Sequence, residues 1–164
     1  MTLSDRTVLI TGATSGVGRA LAQACAARGA RVLVHGRDRD RLHAAAADVS
    51  GTPIQADLSI ANGVLTLATE ARRLGPDLSV VIHNAAIQLN HPIVGAPPEA
   101  VSQDIAREIA VNLTAPAQLT ALLLPTLRAT AARTGSESTL VTVTSGLALA
   151  RSRPRSPPPL ARVG

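Results

Sequence analysis

A chain of 164 residues has the length of one domain, and with 46% apolar and 16% charged residues it excludes an intrinsically disordered protein. It holds no Phe, Trp or Tyr, and all 16 basic residues are Arg, so a core must be built from Leu, Val, Ile and Ala. The net charge of +5 divides unevenly: residues 1–150 carry twelve Arg against eleven acidic residues, whereas the last fourteen carry four Arg and no acid, so a nucleic-acid or membrane-surface reading of the charge would rest on that tail and none is expected of the domain.

Met1–Arg6 lacks the pattern of a signal peptide. Thr7–Thr11 is apolar enough for a first strand, and the alanine-rich Gly16–Arg28 predicts a helix that Gly29-Ala30 ends. Cys25 stands alone in that helix, so no internal disulfide can form and the expected compartment is the cytoplasm. Arg31–His35 predicts a second strand. Asp38–Asp48 predicts a second helix with Leu42, Ala45 and Ala46 on one face, and Pro53–Ala56 a short third strand. Ser59 is the expected N-cap of a third helix that runs to Leu74 and is broken by Gly75-Pro76. Leu78–His83 is a nearly unbroken apolar run, the form of a strand buried on both faces. The loop Gln88–Pro98, with three prolines and a glycine, leads to a long helical stretch from Glu99 to Ala132, with a bend expected near Pro116. Leu140–Thr144 is the fifth strand, and no apolar run is expected to reach membrane-spanning length. This alternation predicts an α/β fold, a doubly wound parallel sheet with its ligand at the carboxyl ends of the strands.

The first turn carries the strongest chemical signal, Thr11-Gly12-Ala13-Thr14-Ser15-Gly16-Val17-Gly18. Strand, glycine turn and helix together cradle a phosphate: Gly12 permits the sharp turn, Gly16 the close approach of backbone N–H groups, and Gly18 the tight packing of the helix on the strand. Thr14 and Ser15 add hydroxyl donors. A glycine-rich turn without a ligand is the plain alternative. An acidic residue about twenty positions past the glycines would meet a free ribose 2′-hydroxyl. Arg37 holds that place, and a guanidinium suits a 2′-phosphate, which favours NADP(H) over NAD(H). The alternative for Arg37 is a solvated surface arginine, and Arg19 is a weaker second candidate. Asp57 taken alone reads equally well as a loop or cap residue. Asn112, inside a helical stretch, has poor propensity there and needs a reason, unless it faces solvent.

In order and spacing, the glycine turn, Ala56-Asp57-Leu58, His83-Asn84-Ala85-Ala86, Val111-Asn112-Leu113 and Leu140–Gly146 resemble the motifs of the short-chain dehydrogenases/reductases over residues 1–150. The resemblance implies a Rossmann-like NADP(H)-binding domain acting on a small ketone, aldehyde or alcohol. It implies that Gly12, Thr14, Ser15, Gly16, Val17, Gly18 and Arg37 hold the cofactor and that Asp57 and Leu58 meet the adenine. Asn84, Ala85 and Ala86 would lie along the cofactor. The family's pattern there is Asn-Asn-Ala-Gly, so His83 and Ala86 depart from it. Asn112 would hold a water of a proton relay, and Ser145 would polarise the substrate carbonyl. The family often pairs through its long helix and the next one, of which only the first is present here, so the resemblance leaves the oligomeric state open, with a homo-oligomer as one outcome, and no metal is implied.

The resemblance stops after Ser145. The family places Tyr-x-x-x-Lys about a dozen residues later, where the Tyr moves the proton and the Lys lowers its pKa. This chain has no Tyr and no Lys, and Pro158 and Arg162 stand at those places. Arg151–Pro159 is too rich in proline for the expected helix, so residues 151–164 read as a disordered Arg/Pro-rich tail. The change of composition after Ala150 reads as a frameshift or misplaced gene end, or else as a natural tail that binds a partner. The sheet is then incomplete at its C-terminal edge and the chain as written inactive. The alternatives are a non-catalytic dinucleotide-binding module and a defective product without function.

Overall fold

Short runs of Val, Leu and Ile bounded by glycine and charged residues bury best as strands covered on both faces. The computed structural model, which describes residues 3–89 and 95–144, shows five of them. The elements are β1 (Thr7–Ile10), α1 (Gly16–Ala26), β2 (Arg31–Gly36), α2 (Arg39–Asp48), β3 (Thr52–Gln55), α3 (Ala61–Leu74), β4 (Leu78–His83), α4 (Pro98–Ile109), a π-helical turn (Ala110–Thr114), α5 (Ala115–Thr134) and β5 (Thr139–Thr142). The strands form one parallel sheet in the order β3-β2-β1-β4-β5. The order reverses between β1 and β4, so the connections leaving those strands diverge and open a crevice at their carboxyl ends.

Alternation along the strands builds two aliphatic cores. Val8, Ile10, Val32 and Val34 pack with Ala22 of α1 and Leu42, Ala45 and Ala46 of α2. Leu9, Leu33, Leu78 and Val81 pack on the other side with Leu67 of α3 and Leu119, Leu123 and Leu127 of α5. Several of these side chains are fully buried, which supplies the main stabilisation that a core without aromatic rings can offer.

The long helical stretch differs from its expected form. It runs from Pro98 to Thr134 and changes register at the π turn just before Pro116, while Pro125 sits within α5 on its exposed side. Residues 109–127 hold no charge, and Pro98–Thr134 is long and apolar enough to cross a membrane by length and composition, contrary to the expectation that no run would be. In the fold its Leu119, Leu123 and Leu127 are spent on the core. Ser59 does not cap α3. The chain enters that helix at Ile60 without a side-chain cap, and Ser59 instead donates to Asp57. The helix α1 ends at Ala26, two residues before Arg28. On the outer edge, all four residues of β5 are exposed, Leu140 by 43% and Val141 by 40%. Part of the Gln88–Pro98 loop, Ser145 and the whole 151–164 tail lie outside the described residues.

Candidate functional site

The turn after β1 is fixed by bonds to two neighbouring strands. The Thr11 N–H donates to the Ile82 carbonyl at 3.0 Å, and the Thr11 hydroxyl accepts the Asn84 and Ala85 N–H groups, each at 3.0 Å. In return the Asn84 amide donates to the carbonyls of Thr11 (3.0 Å) and Gly12 (3.1 Å). Asn84 thereby ties the end of β4 to the turn after β1. Gly12 has φ +64°, where a side chain is strained, and a Cβ there would lie 2.8 Å from the Ala85 backbone. A Cβ on Gly18 would overlap the Gly12 carbonyl oxygen and the Asn84 amide, so α1 can pack this close only with glycine at that position.

Ser15 begins α1 without a capping bond from its hydroxyl. The first backbone N–H groups of a helix have no intrahelical partner, and here they face a cleft with the positive end of the helix dipole behind them. The cleft encloses about 310 Å³, within the range of small-molecule sites. Of the residues singled out in the sequence, Gly12, Thr14, Ser15, Val17 and Gly18 form one wall. Arg37, Asp57 and Leu58 form a second, and Asn84, Ala85 and Ala86 a third. Gly16 starts α1 beside the cleft without lining it. Arg19 does not line the cleft and ion-pairs with Asp48 at the surface.

The second wall adds residues whose part the sequence did not reveal. Asp38 caps α2 by accepting the Arg41 N–H at 2.9 Å, and Arg41 joins Arg37 along the cleft. Gln55 donates to the Arg37 carbonyl at 3.0 Å and steadies the strand end from which that guanidinium extends. Asp57 accepts the Ser59 N–H (2.9 Å) and hydroxyl (2.7 Å) on one oxygen. Those bonds hold its carboxyl below the usual carboxylate range, with the positive charges of Arg37 and Arg107 adding to the effect. Asp57 is therefore an anion across the working range of pH.

His35 is the other residue missed. Its imidazole is buried at 3% exposure. Nδ1 accepts the Gly12 N–H at 3.2 Å, and Nε2 lies 3.2 Å from the Ala56 carbonyl. A carbonyl can only accept, so Nε2 carries the proton and the ring is neutral. Burial pushes its pKa down to about 4. The one sequence signal was a polar side chain ending an otherwise apolar strand, a signal that core histidines share. Near the third wall, His83 is buried at the end of β4 with Nε2 2.9 Å from the Thr120 hydroxyl, and burial lowers its pKa as well.

Asn112 does not point freely into solvent. Its amide oxygen accepts the Ile87 N–H (2.9 Å) and its amide nitrogen donates to the Ile87 carbonyl (2.8 Å), so it clamps the loop after β4 to the π turn. Glu108 accepts the Leu89 N–H on the same loop. Among the described residues no group of three His, Cys, Asp or Glu is placed to hold a metal.

This geometry agrees with what comparison with known proteins finds. Residues 6–156 match the short chain dehydrogenase family. The chain is 38% identical to the human dehydrogenase/reductase SDR family member 13 over 79% of its own length and 34% of that protein's. It is 34% identical to the D-beta-hydroxybutyrate dehydrogenase of Cupriavidus necator over 77% of its length and 49% of the relative's. The chain thus spans a third to a half of these curated relatives. A short-chain dehydrogenase from Sphingobium yanoikuyae solved in complex with NADPH superposes with a TM-score of 0.72 at 28% identity, over 88% of this chain and 56% of that one.

Proposed function

The chain belongs to the short-chain dehydrogenase family, and from that premise we propose that its cleft binds NADP(H) in preference to NAD(H) and that residues 1–164 as they stand do not turn over a carbonyl substrate. The observation that carries the binding half is the convergence in one cleft of the glycine turn, the open N-terminus of α1, and two guanidinium groups, Arg37 and Arg41. Phosphates match both the unpaired N–H groups and the fork of an arginine. Held there, NADPH would be the hydride donor to a carbonyl carbon if a general acid were present beside it. The chain's own share in this reading is to hold and orient it. Gly12, Thr14, Ser15, Gly16, Val17 and Gly18 cradle the diphosphate, Arg37 with Arg41 pairs with the 2′-phosphate, and Asp57 with Leu58 meets the adenine. Asn84, Ala85 and Ala86 flank the ribose side, and Asn112 fixes the loop beside them.

The catalytic half rests on the sequence. Ser145 would hold the carbonyl oxygen of a small ketone or aldehyde, but the chain has no Tyr to give the proton and no Lys to tune it. Loss of a general acid alone costs on the order of a hundred- to ten-thousand-fold. Supporting the parent activity, the relatives named above are dehydrogenases or reductases. A non-catalytic dinucleotide-binding module is the form of function this leaves. We place it in the cytoplasm, in keeping with one unpaired cysteine, and propose self-association through α4 and the π turn after it, where Ile105, Ile109 and Leu113 are exposed one turn apart.

Titration of the chain against NADPH fluorescence tests the reading. Saturable binding tighter for NADPH than for NADH is expected, with Arg37→Glu cutting that preference by roughly ten-fold or more. Absence of saturable binding refutes the site, and measurable NADPH-dependent carbonyl reduction refutes the loss of turnover.

A further inference from the structure

We propose that His35 is a positioning residue, a strut that holds the glycine turn in its ligand-ready shape by bracing it against the loop after β3. The proposal rests on the NADP(H) reading for its ligand and on the geometry of His35 for everything else. An imidazole buried this deeply is costly unless both nitrogens are bonded. Both are: one takes the N–H of Gly12, and the other gives its proton to Ala56, the residue before Asp57 and Leu58. The main chain of His35 adds a third tie, its carbonyl accepting the Ala13 N–H at 2.9 Å.

These ties divide the turn's polar groups cleanly. Asn84 of the third wall takes the carbonyls of Thr11 and Gly12. His35 takes the N–H groups of Gly12 and Ala13, and among the described residues no other side chain accepts from residues 12–18. Consuming those two N–H groups at the sheet fixes the direction in which the next ones, at the start of α1, face the cleft. Without the acceptor on His35, the half-buried Gly12 N–H loses its partner, and the turn is free to leave its binding shape. A ligand that selects that shape then binds more weakly by the fraction of time the shape is lost.

Two substitutions separate the two ends of the strut. An Asn amide reaches about as far as Nδ1, and a Gln amide about as far as Nε2. His35→Asn therefore keeps an acceptor for Gly12, whereas His35→Gln keeps a donor for Ala56 and loses Gly12. The expected result is that H35Q weakens NADPH binding roughly ten-fold while H35N stays within about three-fold, at similar melting temperatures by far-UV circular dichroism. Equal weakening in both variants, or none in either, overturns the proposal, because a residue that only fills space would not be rescued by one amide and not the other. In the wild-type chain, imidazole nitrogen shifts must report the proton on Nε2. A proton on Nδ1 overturns the proposal without any variant. A wild-type chain that binds no NADPH refutes the dinucleotide reading instead. Amide exchange at Gly12 in the ligand-free protein then decides the strut, faster exchange in H35Q than in H35N upholding it and equal rates refuting it.

Discussion

The buried imidazoles tie this protein's stability to pH in a definite direction. The pKa of His35 is pushed from 6.5 to about 4 by burial, opposed by its bond to Ala56 and by the charge of Asp57. Below pH 6.5 the unfolded chain takes up a proton at this position and the folded chain does not until about pH 4. Stability from this group is therefore complete above pH 6.5 and is lost as the pH falls from 6.5 to 4, by about 3 kcal/mol in all. Buried His83 acts in the same direction. Urea denaturation at pH 7.5 and pH 4.5 should show a smaller acid penalty in H35N than in the wild type, and a smaller one still in H35N/H83N. Asn84→Ala should cost about 2 kcal/mol at neutral pH by the same assay, since it strips the carbonyls of Thr11 and Gly12 of their donor. The glycines were legible because their chemistry is local to one turn, and Asn84 because its motif resembles the family's, although its partners Thr11 and Gly12 lie across the sheet. His35 and Arg19 were not, because the partner of each, Gly12 for the first and Asp48 for the second, is brought near only by the sheet and its helices.

At the scale of elements, existence and order were legible and joints were not. Short apolar runs between turn residues mark the strands, alanine- and leucine-rich stretches mark the helices, and Pro116 marks a disturbance in the long helix. The form of that disturbance, a π turn, was hidden, since it coincides with a tertiary clamp between Asn112 and Ile87 that no local preference encodes. Asn112→Ala should leave the fold intact and speed amide exchange at Ile87 relative to β4. Faster exchange through the whole of β4 would show instead that the clamp holds the strand. In α5, Leu123 is fully buried against the sheet, and Leu123→Ala should cost roughly 2–5 kcal/mol in a denaturation curve. The start of α3 taught the same lesson: Ser59 has the residue type of a cap, but Asp57 captures its N–H and hydroxyl first.

For the molecule as a whole, the sheet is asymmetric in its protection. Its inner strands β1, β2 and β4 are buried on both faces, whereas among the described residues β5 pairs only with β4, and Leu140 and Val141 on it and Val143 just after it are exposed. An apolar strand edge of this kind is a template for further pairing. Light scattering of the purified chain should rise with concentration, and Val141→Lys should suppress the rise without altering the β4–β5 pairing.

The π turn sets where the long helix tolerates the loss of a residue. A regular helix passes on every added or removed residue as a rotation of about 100° to all that follows. One wide turn absorbs a single extra residue and leaves the downstream face where it was. Residues 110–114 are thus the one described place in the long helix where a residue can be removed while Leu119, Leu123 and Leu127 keep facing the sheet, and the loss would fall on the grip of Asn112 alone. The same deletion one turn further on would swing those leucines off the core and unfold the domain.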